Sequence, residues 1–157
     1  MTRTKYDTDI VAWANEQAAL LRAGRFSELD IEHISDEVED VGKSEQRELA
    51  SRMAVLLAHL LKWQFQPERR GASLEAMIRV QRNAIDRRIR NAPSLKFSLS
   101  DADWLADVWG DAIESAVKET RIPYTKFPDA CPWTSDQVMC RDFFPCELSP
   151  PSQRMRG

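Results

Sequence analysis

Residues 30–66 read DIEHISDEVEDVGKSEQRELASRMAVLLAHLLKWQFQ, and this stretch decides the fold. No proline interrupts it, and apolar residues recur at three- and four-residue spacing: Ile31, Ile34, Val38, Val41, Leu49, Leu56, Leu60 and Trp63. That period puts them on one stripe of a single long helix. The helix has two characters. Its first half carries Glu32, Asp36, Glu37, Glu39 and Asp40, and acids near a helix start oppose the positive end of the dipole favourably. Its second half is the leucine-rich run from Met53 to Trp63. Glu45, Arg52 and His59, each seven residues after the last, form a polar column through the stripe. Polar groups at core positions are costly unless they find partners. Gly42 falls on the inner side, where it permits a close helix approach or marks a bend. Pro67 and Gly71 end the helix.

Working outward, a first helix is predicted from Asp7 to Arg22, capped by Asp7 or Thr8, with Ile10, Trp13, Ala14, Ala18 and Leu21 on its inner face. Gly24 sits where it should stop. A third helix runs from Ser73 to Asn91, with Leu74, Met77, Ile78, Ile85 and Ile89 sharing a face. A fourth starts at a Ser98 or Ser100 cap and ends by Arg121, and its face is Leu105, Val108, Trp109, Ala112, Ile113 and Ala116. From Pro123 onward the prolines at 123, 128, 132, 145, 150 and 151 forbid a long helix. Yet Tyr124, Phe127, Trp133, Phe143 and Phe144 are too apolar for a free tail. This predicts an irregular arm packed on the bundle, with one short helix behind a Thr134/Gln137 capping box. The expected architecture is all-α: an antiparallel up-and-down four-helix bundle with an irregular C-terminal arm. One domain is expected over 1–147, with a disordered tail over 148–157.

Bulk properties bound the function. A chain of 157 residues can build one real core, and a net charge of -3 gives no overall push toward nucleic acid or anionic membranes. Three cysteines with no CxxC pair suit reduced thiols in the cytoplasm better than a disulfide framework. No apolar segment follows Met1-Thr-Arg-Thr-Lys-Tyr-Asp7, so no secretory leader is expected. The run from Val55 to Leu61 is too short to span a bilayer and contains His59.

Charge is distributed by helix. Glu28 to Glu48 holds nine acids against Lys43 and Arg47. Arg79, Arg82, Arg87, Arg88 and Arg90 make the third helix basic, and the fourth is acidic again. Charge pairing between neighbouring helices accounts for this pattern. The sharper reading is a nucleic-acid face of Arg79, Arg82, Arg87 and Arg90, against which the acidic flanks and the lack of interleaved aromatics weigh. Gln81 and Arg88 are also seven apart and fall opposite the polar column. Glu45, Arg52, His59, Gln81 and Arg88 therefore make either a paired core network or a small cleft that binds a carboxylate or phosphate, with His59 supplying a proton. Asp30, His33 and Glu37 have spacing for only a weak metal site, and Cys131, Cys140 and Cys146 lack zinc-ribbon spacing. No phosphate loop, nucleophile elbow, zincin or dinucleotide motif is present, so no metal or cofactor is implied and enzyme chemistry has no support beyond the polar column.

Several motifs carry a resemblance. They begin with Tyr6-Asp7-x-Asp9-Ile10-x-x-Trp13, Leu20-Leu21-Arg22-Ala23-Gly24-Arg25-Phe26 and Leu29-Asp30. They continue through Asp36-Glu37-Val38-Glu39-Asp40-Val41-Gly42, Leu56 to Gln64, Pro67-Glu68-Arg69-Arg70 and Gln81-Arg82. Pro93-Ser94-Leu95, Glu119-Thr120, Phe127-Pro128 and Cys131-Pro132 complete the set. Together, over about residues 6–145, these resemble the bacterial domain-of-unknown-function family numbered twenty-nine. The resemblance implies a helical bundle and supplies no catalytic residues. Asp36 stands where the pattern often has Glu. Arg88 stands where it often has an apolar residue, which favours a local ion pair for Arg88. The leading expectation is a cytoplasmic bacterial protein-interaction module with an undefined protein partner. The alternatives are a small-ligand binder or enzyme at the polar column, and nucleic-acid binding by the third helix.

Overall fold

The computed structural model describes residues 5–146, and the tail expected over 148–157 lies outside them. The described residues contain no strand. They form α1 (Ile10–Arg22), α2 (Ile31–Phe65), α3 (Ala72–Asn91), α4 (Ala102–Thr120) and α5 (Ser135–Met139), with short 3-10 turns between them. The fold is all-α. The chain divides into two compact units, Met1–Glu45 and Gln46–Gly157, with the division falling inside α2.

In the first unit, α1 starts two residues later than an Asp7 cap would set it and one later than Thr8. The cap is Asp9, whose carboxylate accepts from Ala12 N at 3.0 Å. Its end is a Schellman motif: Arg25 N donates to Leu20 O and Gly24 N to Leu21 O, with Gly24 at φ +71. The inner face of α1 is Trp13 and Gln17. Ile10, Ala14 and Leu21, expected inside, are exposed. A polar residue, Gln17, occupies the inner face because the group it meets is a backbone N–H, that of Asp30.

The second unit holds the hydrophobic core. α2 contributes Leu49, Met53, Leu56, Leu57, Leu60 and Leu61, all buried. α3 adds Leu74, Ile78, Ile85 and Ile89, and α4 adds Val108, Trp109, Ala112 and Ala116. Helices two to four of the expected bundle thus share this core, and α1 belongs to the first unit. α4 is capped by Asp101 rather than by Ser98 or Ser100, because residues Pro93–Ser100 form a 3-10 segment that buries Leu95 and Ser98. Arg70 closes the end of α2, donating from Nε to Trp63 O at 2.5 Å while its guanidinium lies over the Trp63 ring.

The arm packs as its aromatics demand. Phe127 and Val138 are buried, Trp109 Nε1 donates to Pro128 O at 3.1 Å, and Trp133 meets Trp109 edge-on at 5.8 Å. α5 begins with the Thr134/Gln137 capping box.

Gly42 does not serve a close approach within this chain: a Cβ built there meets nothing within 4 Å. It lies inside α2 without a positive φ. Gly42→Ala should therefore raise stability by about 0.5–1 kcal/mol through helix propensity alone, measured as a higher urea midpoint with an unchanged slope.

Candidate functional site

The polar column is organised by a residue outside it. Glu48 Oε1 lies 3.2 Å from Arg88 Nη2, which donates to it, and 3.1 Å from Arg52 Nε. The Arg52 contact is an ion pair without hydrogen-bond alignment, since Arg52 Nε has no hydrogen-bond partner. Glu45, seven residues before Arg52, is exposed and has an interaction of its own. The i, i+4 spacing of Glu48 and Arg52, the pairing that actually juxtaposes side chains on a helix, was the signal for Glu48. His59 Nδ1 and Gln81 Oε1 are buried without hydrogen-bond partners. Burial, with the Lys62 ammonium nearby, pushes the His59 imidazole below its usual range.

The basic face of α3 is smaller than its sequence. Arg79, Arg87 and Arg90 are exposed, and Arg79 and Arg90 pair with Glu75 and Asp86 on the same helix at 3.5 and 3.4 Å. Arg82 is only 4% exposed and belongs to the interior. Its Nε donates to Val138 O at 2.8 Å, Nη1 to Arg141 O at 3.3 Å and Nη2 to Phe143 O at 2.6 Å, and the guanidinium lies over the Phe144 ring. The planar fork answers three carbonyls that the proline-rich arm cannot pair along a helix. Beside it, an open cleft of about 450 Å³ is lined by both signs of charge: Glu75, Arg79, Arg141 and Asp142. Between helices, Lys62 of α2 pairs with Glu119 of α4, and Arg88 of α3 with Glu48 of α2.

In the first unit Asp30 is the hub. As N-cap of α2 it accepts from His33 N through Oδ1 at 3.4 Å. Its Oδ2 accepts from Trp13 Nε1 at 2.9 Å and from His33 Nδ1 at 2.7 Å, and its own N–H donates to Gln17 Oε1 at 2.8 Å. Tyr6 stacks on His33 with ring centroids 4.2 Å apart, and its hydroxyl donates to Glu37. That bond, with the Glu37 charge, pushes the Tyr6 phenol up to about 12. The hydrogen bond to His33 holds the Asp30 carboxyl below its usual value, and the same bond raises the His33 imidazole. An open cleft of about 760 Å³ runs along these residues, lined also by Lys5, Asp7, Glu28 and Glu32. Asp30, His33 and Glu37 are thus committed to protein partners, and no group of three or more ligating side chains is placed for a metal among the described residues.

The feature that sequence reasoning misjudged most is the start of the α2 stripe. Ile31, Val38 and Val41 are 64%, 67% and 69% exposed, and Ile34 is half-buried. Ser35 and Gly42 lie among them, also exposed. Periodicity identifies an apolar face but carries no information about what covers it. The unit instead packs the adjacent face of α2, through the half-buried His33 and Asp30.

A family model described as "Domain of unknown function DUF29" matches residues 5–144. No curated protein matches the chain, and no solved structure matches it.

Two predictions follow from the hubs. Arg82→Lys keeps the charge but cannot span three carbonyls. It should cost on the order of 2–3 kcal/mol in urea unfolding and speed tryptic cleavage after Arg141. For Asp30 and His33 the signs run in opposite directions. The raised His33 contributes stability below its ordinary 6.5, lost as pH rises through the folded value. The lowered Asp30 contributes above its ordinary 3.8, lost as pH falls through the folded value. Both therefore act fully between 3.8 and 6.5. An NMR titration should place His33 above 6.5, and Asp30→Asn, which keeps a capping oxygen, should bring it back toward that value.

Proposed function

The chain belongs to the DUF29 family, and from that premise we propose that it is a protein-interaction module whose first unit docks a partner on the exposed apolar face of α2. The family description carries no activity, so the reading rests on the molecule itself. The observation that carries it is the run Ile31, Val38 and Val41, each about two-thirds exposed on one helix face. Single exposed apolar residues are ordinary, whereas an aligned set on a regular element is how partner surfaces present themselves. With the half-buried Ile34, Ile31 and Val38 stand at the i, i+3, i+7 spacing that helix-in-groove recognition uses for its anchors.

The other readings draw less support. A ligand site at the polar column would need Arg52 and Arg88, and both already converge on Glu48. A nucleic-acid face would need Arg82, which is spent on the arm, and Arg79 and Arg90, which have acidic neighbours. No helix among the described residues is long and apolar enough to cross a membrane. Cys140 and Cys146 are free and exposed, which suits the reducing cytoplasm we assign to it.

The test is position-specific capture in the native host. A photo-crosslinking residue at Val38 should give a discrete protein adduct. One at Asp40, two residues on and so on a different face of the helix, should not. Ile31→Asp should abolish the Val38 adduct while leaving the circular dichroism spectrum unchanged. Equal labelling at both positions, or none at Val38, would overturn the proposal.

A further inference from the structure

We propose that the second unit binds a small apolar amine in a cavity between α4 and the arm. The cavity lies wholly within Gln46–Gly157, so the proposal is independent of the docking face on α2.

The first argument is shape. The space is about 300 Å³. Its floor is sealed: Met53 and Leu57 of α2 and Val138 of α5 line it, and each is at most 3% exposed. Trp109 and Trp133, meeting edge-on at 5.8 Å, give it an aromatic wall. Its rim is low, because Ala102, Ala106 and Ala130 are exposed and carry only a methyl group. Ala102 and Ala106 stand four apart on one face of α4, and a larger residue at either would fill the space. Liquid water takes about 30 Å³ per molecule, so the cavity holds a body of roughly ten non-hydrogen atoms. A single turn of α-helix, about 10 Å across and 5.4 Å high, already exceeds it.

The second is the chemistry of the lining. Three side-chain donors face the space, and each is already spent inside the protein. Trp109 Nε1 donates to Pro128 O at 3.1 Å, Ser135 Oγ to Leu99 O at 2.9 Å and Cys131 Sγ to Trp133 O at 3.4 Å. Water held there finds few partners, and an apolar body displaces such water at a gain. The clefts beside Arg82 and along Asp30 differ, being lined by several charges of both signs.

The third is charge. Among the described residues Asp129 is the one charged side chain that lines the cavity. It is exposed, and its carboxylate makes no hydrogen bond or ion pair among the described residues. The Trp109–Pro128 bond pins the arm one residue before it. A carboxylate at the mouth of an apolar space favours a ligand with a cationic end and disfavours an anionic one. The occupant is therefore a compact hydrocarbon body, aromatic or branched, whose protonated nitrogen reaches Asp129.

The experiment titrates the full chain with three probes that share one body: 2-phenylethylamine, 2-phenylethanol and 3-phenylpropionate. Binding is followed through the indole N–H resonances, with Trp13 and Trp63, which do not line the cavity, as internal controls. The amine should shift Trp109 and Trp133 saturably, with a Kd on the order of 0.5 mM for so small a ligand. The alcohol should bind about fivefold more weakly, the worth of an exposed ion pair, and the propionate more weakly still. The bound amine should also slow maleimide labelling of Cys131 and leave that of the exposed Cys140 unchanged.

Asp129→Asn should bring the amine down to the affinity of the alcohol and leave the alcohol as it was. Ala106→Trp, at an exposed helix position, should fill the cavity and abolish binding of both with the circular dichroism spectrum unchanged. Absence of a saturable shift at Trp109 and Trp133 overturns the proposal, as does amine binding that survives Ala106→Trp. Equal affinity for amine and alcohol, or a preference for the propionate, overturns it as well.

Discussion

A helix with apolar residues down one face gains little from folding until something covers that face, and α2 runs from Ile31 to Phe65 with such a face at both ends. In the second unit the covering is complete. Leu49, Leu56, Leu60 and Leu61 have no exposure, and α3, α4 and the arm supply the atoms against them. Each fully buried leucine contributes about 2 kcal/mol of transfer free energy, so this half of α2 is held by its core. In the first unit the equivalent residues, Ile31, Val38 and Val41, stand in solvent. That unit is held instead by polar and aromatic contacts on a neighbouring face, centred on Asp30.

The two units therefore solve the same problem with different chemistry. Asp30 concentrates four hydrogen bonds on one short side chain and its backbone: the α2 cap, the Trp13 indole, the His33 ring and the Gln17 amide. Arg82 does the corresponding work in the second unit, where one guanidinium answers the carbonyls of Val138, Arg141 and Phe143. The arm needs such a clasp because proline-rich backbone leaves carbonyls without a ladder partner, and a buried unpaired carbonyl is expensive. Arg82 is a positioning residue for that arm, and burial lowers its pKa.

Much of this was legible in the sequence, for identifiable reasons. Helices and their ends follow from local rules: apolar period, the Thr134/Gln137 capping box, and Gly24 at the end of α1 all read true because neighbours in sequence decide them. The Asp9 cap was missed because several acidic or hydroxyl residues stand within one turn. What could not be read locally is what lies across from a side chain. Arg82 looked like one of the four arginines of a surface face until the arm folded over it. Ile31, Val38 and Val41 looked like core because an apolar face is the same pattern whether covered or bare. Glu48, four residues before Arg52, pairs with it, a contact that seven-residue spacing does not show.

The acids of this half of α2, on the side away from the bare face, are not explained by helix stability. Favourable interaction with the helix dipole is confined to the first turn, which contains Glu32 alone. Beyond it, Glu32 and Asp36, Asp36 and Asp40, Asp36 and Glu39, and Glu37 and Asp40 are like charges at three or four residues, each pair costing about 0.2–0.5 kcal/mol in an isolated helix. Lys43 offsets only the Glu39 charge. Glu37 is partly accounted for by the Tyr6 hydroxyl. Glu32, Asp36 and Asp40 lower the stability of the free helix, whose three exposed branched side chains also gain nothing there.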